Sequence, residues 1–99
     1  MTVVADNYAK VLMDMDIAGE DVAAMRALLE DQRVSEALEN PFVDRAGKHR
    51  VIEQLFPAAV HNFVKVMSDN GDAALASEMF QAYDRLLLER DNKVQATFT

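Results

Sequence analysis

The chain has 99 residues, of which 51% are apolar, and its formal net charge at pH 7 is −7. A chain of this length builds a single core, and its excess of carboxylates repels a phosphate backbone, which argues against direct nucleic-acid binding. Since the chain contains no cysteine, disulfides and thiolate metal sites are excluded.

The composition favours helices, because only three glycines and two prolines interrupt a chain rich in Ala, Leu, Met, Glu, Asp and Arg. We therefore predict an all-α bundle. The first twenty residues mix charged with apolar side chains, so we expect neither a signal peptide nor a membrane span. The expected location is the cytosol or a complex that faces it.

The first predicted helix covers residues 4–17 and is more apolar than one packing face requires. Its apolar positions span about 200° of the helical wheel, whereas one packing face needs about 100°. They are Val4, Ala5, Tyr8, Ala9, Val11, Leu12, Met13 and Met15. The pattern fits either a helix buried on all sides or one with a second, exposed apolar face.

The segment DMDIAGED, residues 14–21, begins like a calcium-binding loop. The twelfth position of such a loop supplies a bidentate Glu, and here it is Met25. We therefore interpret the segment as a turn, with Gly19 ending the first helix and Glu20 or Asp21 capping the second.

The next three helices follow from apolar spacing and turn residues. The second has the apolar stripe Val22, Met25, Leu28 and Leu29, and the third, over residues 34–38, must end before Asn40-Pro41. Asp44 is predicted to cap the fourth helix, which Pro57 ends. The inward row predicted for the fourth helix is Val51, Ile52, Leu55 and Phe56.

The fifth helix is predicted from Pro57 to about Asp69, with a left-handed end at Asn70-Gly71. Val66 lies about 100° from Met67 on the wheel, away from the apolar row of this helix. Asp72 is predicted to cap a sixth helix that ends near residue 91. The buried side predicted for this helix is Leu75, Met79, Phe80, Tyr83, Leu86 and Leu87.

Residues 93–99 alternate apolar and polar side chains, which predicts an extended linker or the start of a further domain. The predicted organisation is a helical bundle over residues 1–92 followed by this segment, 93–99.

Catalysis has no support in the sequence, since we find no Cys nucleophile, no glycine-rich phosphate loop and no recognisable Ser, His and acid set. We predict no catalytic residue, no metal site and no cofactor. His49 and His61 are the two histidines, and they lack metal-ligand spacing. A metal site built from these histidines and carboxylates is therefore the weakest functional alternative that the sequence leaves open.

The wide apolar arc of the first helix and the position of Val66 away from the apolar row of the fifth helix together suggest a docking groove. If the first and fifth helices lie side by side, Tyr8, Val11, Met15 and Val66 line a groove that suits an amphipathic partner helix. A helical adaptor or regulatory bundle that binds some other amphipathic segment explains the same pattern.

Several motifs, in order and spacing, resemble a known family over almost the whole chain. They are YAKVL at 8–12, Asn40-Pro41, KHRVIEQLF at 48–56, NFVKVMSDNG at 62–71 and the final ERDNKVQATFT. The chain is similar to the N-terminal domain of the delta subunit of the bacterial F-type ATP synthase and to the mitochondrial oligomycin-sensitivity-conferring protein.

The resemblance implies a six-helix bundle without enzymatic activity, in the stator of a proton-transporting complex at the cytoplasmic face of the bacterial membrane. The resemblance also implies that the bundle does not itself insert into the membrane. The implied partner is the N-terminal helix of an alpha subunit, held in a groove between the first and fifth helices. Carried onto matching positions, the implied site is Tyr8, Val11, Met15, Asn62, Phe63, Val66 and Asn70.

Two features depart from the family. Asp72 follows the Asn-Gly stop where the family usually has a basic residue. The second domain, which joins the b subunits of the peripheral stalk, is not in this sequence, so stalk binding is not assigned to these residues.

Overall fold

A computed structural model describes residues 3–98, with side chains for residues 3–90. Within residues 3–98 it contains six α-helices, two 3-10 turns and no strand, which confirms the predicted all-α class. The helices are α1 (Val3–Asp14), α2 (Gly19–Glu30), α3 (Gln32–Glu39), α4 (Arg45–Leu55), α5 (His61–Asp69) and α6 (Ala76–Phe98). The 3-10 turns are Ala58–Val60 and Ala73–Leu75.

The chain divides into two compact units, Met1–Asp16 with Ser77–Thr99, and Ile17–Ala76. The described part of the first unit consists of α1 and nearly all of α6. An ion pair of 3.6 Å joins the Arg85 guanidinium on α6 to Asp6 Oδ1 on α1. Among residues 3–90, the buried side chains of this unit are Ala5, Ala9, Leu12, Met79, Phe80 and Ala82.

The second unit contains α2 to α5. Here α2 contacts α3, α4 contacts α5, and the two 3-10 turns contact α2, α3 and α5. Its core is made of apolar side chains that recur at helical spacing, which is why the periodic stripes predicted it. These side chains include Val22, Met25, Leu29, Val34, Leu38, Ile52, Phe56, Val60, Phe63, Val64 and Met67.

Side-chain caps begin two of these helices. Asp44 Oδ1 accepts a hydrogen bond of 2.7 Å from Gly47 N, so the predicted cap of α4 is confirmed. Asp31 caps α3 in the same way, through Arg33 N. The caps predicted for α2 are wrong, because α2 begins after Ala18 without a side-chain cap, and Glu20 and Asp21 lie in its first turn.

The end of α5 has the predicted left-handed geometry. Gly71 has φ +73°, and the hydrogen bonds from Gly71 N to Ser68 O and from Asp72 N to Met67 O measure 3.0 and 2.8 Å. This pair of bonds is a Schellman motif, which satisfies carbonyls that a helix end leaves without partners. The prediction that Asp72 caps α6 is wrong, because the turn Ala73–Leu75 lies between Asp72 and the helix.

Three further predictions are corrected. Helix α1 ends at Asp14 instead of residue 17, because Asp16 takes the left-handed conformation with φ +51°. Leu55 is exposed and does not belong to the inward row of α4. Residues 93–98 are helical, since α6 reaches Phe98, so the extended conformation predicted there is wrong. The domain division at residue 92 stays a prediction, and Thr99 lies outside the described residues.

Candidate functional site

Helix α1 carries an exposed apolar stripe beside its buried face. The buried face is Ala5, Ala9 and Leu12, and a second apolar row lies about 100° from it on the wheel. We call that row the α1 stripe, and it consists of Val4, Tyr8 and Val11 on α1 together with Met15 in the turn that directly follows the helix. Val11 is 50% and Met15 39% exposed, whereas Tyr8 is half-buried. Burial of α1 on all sides is therefore wrong, and its wide apolar arc contains two distinct faces.

Helix α5 and its C-terminal residue also expose one face. Asn62, Val66 and Asn70 are exposed at a spacing of four residues, with Val66 51% exposed, and we call them the α5 face. Phe63 is only 6% exposed and belongs to the core, so a partner on this face would reach little of it. The α5 face carries no formal charge, although the protein as a whole is strongly acidic.

The charged side chains of α5 point toward α4 instead. Lys65 Nζ lies 2.9 Å from Glu53 Oε2, and one turn further along, Asp69 Oδ1 lies 2.7 Å from His49 Nε2. Arg45 adds a second contact to Asp69, with 3.0 Å between its guanidinium and Oδ2. Because residue numbers rise along α5 as they fall along α4, the two helices are antiparallel. We call these contacts the α4–α5 ladder.

The ladder lowers the pKa of two carboxyl groups. Partial burial raises the pKa of Asp69, but hydrogen bonds from His49 and Arg45 outweigh this effect, so the net direction is downward. The pKa of Glu53 is lowered mainly by its hydrogen bond from Lys65. Both carboxylates are thus ionised at neutral pH and neutralised by cations, which leaves the α5 face free of their charge.

We expect the contribution of Asp69 to stability to disappear in acid. A carboxyl whose pKa is lower in the folded than in the unfolded chain stabilises the fold above its unfolded pKa, near 4. This stabilisation is lost as the pH falls through the lower, folded pKa. The difference in unfolding free energy between the wild type and Asp69→Asn, measured with urea, should therefore shrink between about pH 5 and pH 2.

Glu20→Gln is the matched control, because Glu20 is exposed and takes part in no ion pair within residues 3–90. The difference in unfolding free energy between Glu20→Gln and the wild type should change much less over the same pH range. A constant difference for Asp69→Asn would show that the ladder does not stabilise the fold.

The histidines do not form a shared site in the described residues. His49 faces Asp69, and His61 Nε2 donates a hydrogen bond of 2.7 Å to the Phe56 carbonyl oxygen. No group of three or more His, Asp or Glu side chains within residues 3–90 is arranged to hold a metal ion. The twelfth position of a calcium loop that began at Asp14 would be Met25, which lies in the core and has no oxygen to offer a metal ion.

The structure therefore groups the predicted site residues by helix. Tyr8, Val11 and Met15 share the α1 stripe, and Asn62, Val66 and Asn70 share the α5 face. A groove between the two helices stays a prediction, because α1 and α5 belong to different units. The structure thus exposes an apolar row on α1 and an uncharged face on α5, and surfaces of this kind are typical of helical proteins that bind a partner helix.

Comparison with known proteins identifies the family. A family model described as the ATP synthase delta (OSCP) subunit matches residues 4–99, and the chain belongs to this family. Its members are structural, non-catalytic subunits. The family membership that the sequence motifs indicated is thus confirmed.

One similar protein is the ATP synthase subunit delta of Synechococcus elongatus, which is 31% identical over 103 residues. The match covers 92% of this chain and 57% of that protein, so the chain spans a little over half the length of this relative. No solved structure matches the chain significantly. Within the described residues, no helix combines the length and apolar character needed to cross a membrane.

Proposed function

We propose that this chain is a stator component of the proton-transporting F-type ATP synthase and binds the N-terminal helix of an alpha subunit. The α1 stripe and the α5 face together receive that helix, in the predicted groove. Family membership supports the complex, and the exposure of Val66 beside buried Met67 is the observation that supports the site.

The proposed role is mechanical. A stator must resist the torque that rotation places on the catalytic hexamer, so its contact with an alpha subunit has to persist while no chemistry occurs. The domain is peripheral, at the cytoplasmic face of the bacterial membrane. The proposal assigns no contact with the b subunits to these residues.

The energetics of the contact follow from the uncharged character of the surface. A partner peptide of about 20 residues is only marginally helical in water, so docking must order it. Apolar burial contributes roughly 25 cal/mol per Å², and after the ordering cost an affinity between nanomolar and micromolar is reasonable. Since no charged side chain belongs to the α5 face, salt should change the affinity weakly.

Titration with the first twenty or so residues of the cognate alpha subunit tests the proposal. Binding is measured by calorimetry and by tyrosine emission, which is usable because the chain has two Tyr and no Trp. We expect saturable binding in the micromolar range or tighter. A peptide of the same composition in scrambled order is the control, because it lacks the i, i+3, i+4 and i+7 anchors.

Absence of binding to the alpha-subunit peptide at concentrations of about 100 µM would contradict the proposal, because that affinity corresponds to only about 5.5 kcal/mol. Equal binding of unrelated amphipathic helices would instead support the alternative function, a helical adaptor without preference for alpha.

A further inference from the structure

Helix α4 carries an apolar row on the side opposite the α4–α5 ladder. The ladder joins His49 and Glu53 to α5. Positions 47, 51 and 55 lie about 180° from these two residues on the helical wheel, so they do not face α5. Position 47 is Gly47, Val51 is half-buried, and Leu55 is 49% exposed. This side of α4 therefore leaves apolar surface in contact with solvent.

The loop between α3 and α4 extends this side of the helix. Val43 lies against α4 at Gly47, because a Cβ atom at position 47 would come within 3.0 Å of Val43 Cγ1. This close approach explains a glycine inside a helix, where it costs about 1 kcal/mol relative to Ala. Next to Val43, Phe42 is 95% exposed and is the most exposed large apolar side chain within residues 3–90. We call the four apolar residues the α4 row, and they are Phe42, Val43, Val51 and Leu55.

Hydrogen bonds of the backbone hold Phe42 in its exposed position. Asn40 Oδ1 accepts a hydrogen bond of 2.9 Å from Phe42 N, and Asn40 O accepts one of 3.2 Å from Val43 N. Because the turn is already fixed, a partner that covers the ring has little backbone ordering to offset. Single exposed apolar residues are common, but a fixed aromatic side chain beside further apolar surface is typical of a protein interface.

The charges that flank the α4 row are positive. Lys48 and Arg50 lie on either side of Val51 on the wheel, about 60° and 100° away. Neither side chain takes part in a hydrogen bond or ion pair within residues 3–90. Residues 45–52 contain three of the ten Lys and Arg residues and no carboxylate, although the chain as a whole has a net charge of −7. An apolar surface flanked by Asp or Glu is therefore complementary to this side of α4.

The shape and the total charge favour a helix over a membrane as the partner. An apolar row with basic flanks also suits an anionic bilayer, but the net charge of −7 opposes the approach of the chain to such a surface. Positions 47 and 55 are about 12 Å apart along α4, at 1.5 Å per residue. This length matches about two turns of a partner helix.

We propose that the α4 row binds an acidic amphipathic helix of another protein. Apolar anchors of that helix at i, i+3 and i+7 contact the row, and its carboxylates pair with Lys48 and Arg50. The site goes beyond the proposed function, since the α4 row shares no residue with the α1 stripe or the α5 face.

The test is an NMR titration of the 99-residue chain with a designed peptide of about 18 residues, long enough to form a helix when bound. The peptide has Leu at i, i+3 and i+7, Glu at the flanking positions and Ala elsewhere. We expect saturable shifts at the backbone amides of residues 42–55, with a dissociation constant on the order of 100 µM. Added NaCl should weaken this binding, because the ion pairs are exposed to solvent.

The control peptide has Lys in place of every Glu and should bind at the same amides at least tenfold more weakly. This comparison is demanding, because the net charge of the chain on its own favours the basic peptide.

Variants connect the effect to the α4 row. Phe42→Ala and Leu55→Ala should each weaken binding of the acidic peptide at least threefold, with unchanged helical content by circular dichroism. Leu88→Ala is the matched control, since Leu88 is 63% exposed on α6, outside the row. Lys48→Gln should also weaken binding, whereas Lys10→Gln, which removes an unpaired cation from α1, should not.

Absence of saturable shifts at residues 42–55, or equal binding of the basic peptide there, would overturn the proposal. Weakening by Val66→Asp without weakening by Leu55→Ala would place the acidic peptide on the α5 face, which also contradicts it. Shifts of the same amides by phosphatidylserine vesicles would replace the helix with a membrane. Dimers in sedimentation that Phe42→Ala abolishes would assign the row to a second copy of the chain. Binding of the alpha-subunit peptide without binding of the acidic peptide would refute this proposal alone.

Discussion

Replacing Val66 with Asp should weaken binding of the alpha-subunit helix at least tenfold, or about 1.4 kcal/mol, and leave the helical content of the chain intact. Val66 is 51% exposed, so the fold tolerates a carboxylate there. A bound apolar helix would remove water from that carboxylate without offering it a cation, which is costly. Tyr8→Asp should have the same effect from the α1 stripe. Calorimetric titration of each variant with the alpha-subunit peptide gives the change.

The matched control is Gln54→Asp. Gln54 is exposed on α4 and lies outside the α5 face, so this variant adds the same charge without touching the proposed site. It should bind the peptide like the wild type. If Val66→Asp and Tyr8→Asp instead unfold the chain, their side chains support the core and the proposed site is misplaced.

The two variants also test whether α1 and α5 act together. A groove shared by both helices requires that each substitution weakens binding of the same peptide. Loss with Val66→Asp alone would assign the partner to α5, and loss with Tyr8→Asp alone would assign it to α1. Each of the last two results would contradict the groove, although the chain would still bind a helix.

The features of α5 that sequence predicts best are local. Val66 and Met67 are neighbours in the chain, and helical periodicity alone predicts that they lie on different sides. The structure confirms this, with Met67 buried and Val66 exposed. The left-handed end at Gly71 is equally local, because glycine takes a positive φ without the steric cost that other residues have.

The ladder was not predicted, because it depends on how two helices meet. Glu53 and Lys65 are twelve residues apart, and His49 and Asp69 are twenty apart. Their spacing of four along each helix places each pair on one face, but the sequence does not show which helices are neighbours or in what register. Leu55 illustrates the same limit, since periodicity placed it in the inward row and the structure exposes it. The residues of α5 that are predicted to bind a partner follow from local spacing along the helix. The contacts between α4 and α5, which orient α5, do not follow from it.

Replacing Met67 with Ala should lower the free energy of unfolding by about 2 to 5 kcal/mol. Met67 is 1% exposed in the core of the second unit, and truncation removes its apolar contacts and leaves a cavity. For a chain of 99 residues this is a large share of a total stability of roughly 5 to 15 kcal/mol. Urea unfolding followed by circular dichroism measures the loss.

Val66→Ala is the control on the same helix, one position away. Because Val66 is exposed and Ala is the better helix former, its effect on stability should stay within about 0.5 kcal/mol. The same variant should weaken binding of the alpha-subunit peptide, since it removes apolar surface from the α5 face. If Val66→Ala destabilises the fold as much as Met67→Ala, the side of α5 assigned to a partner is part of the core, and the helix-binding proposal fails with it.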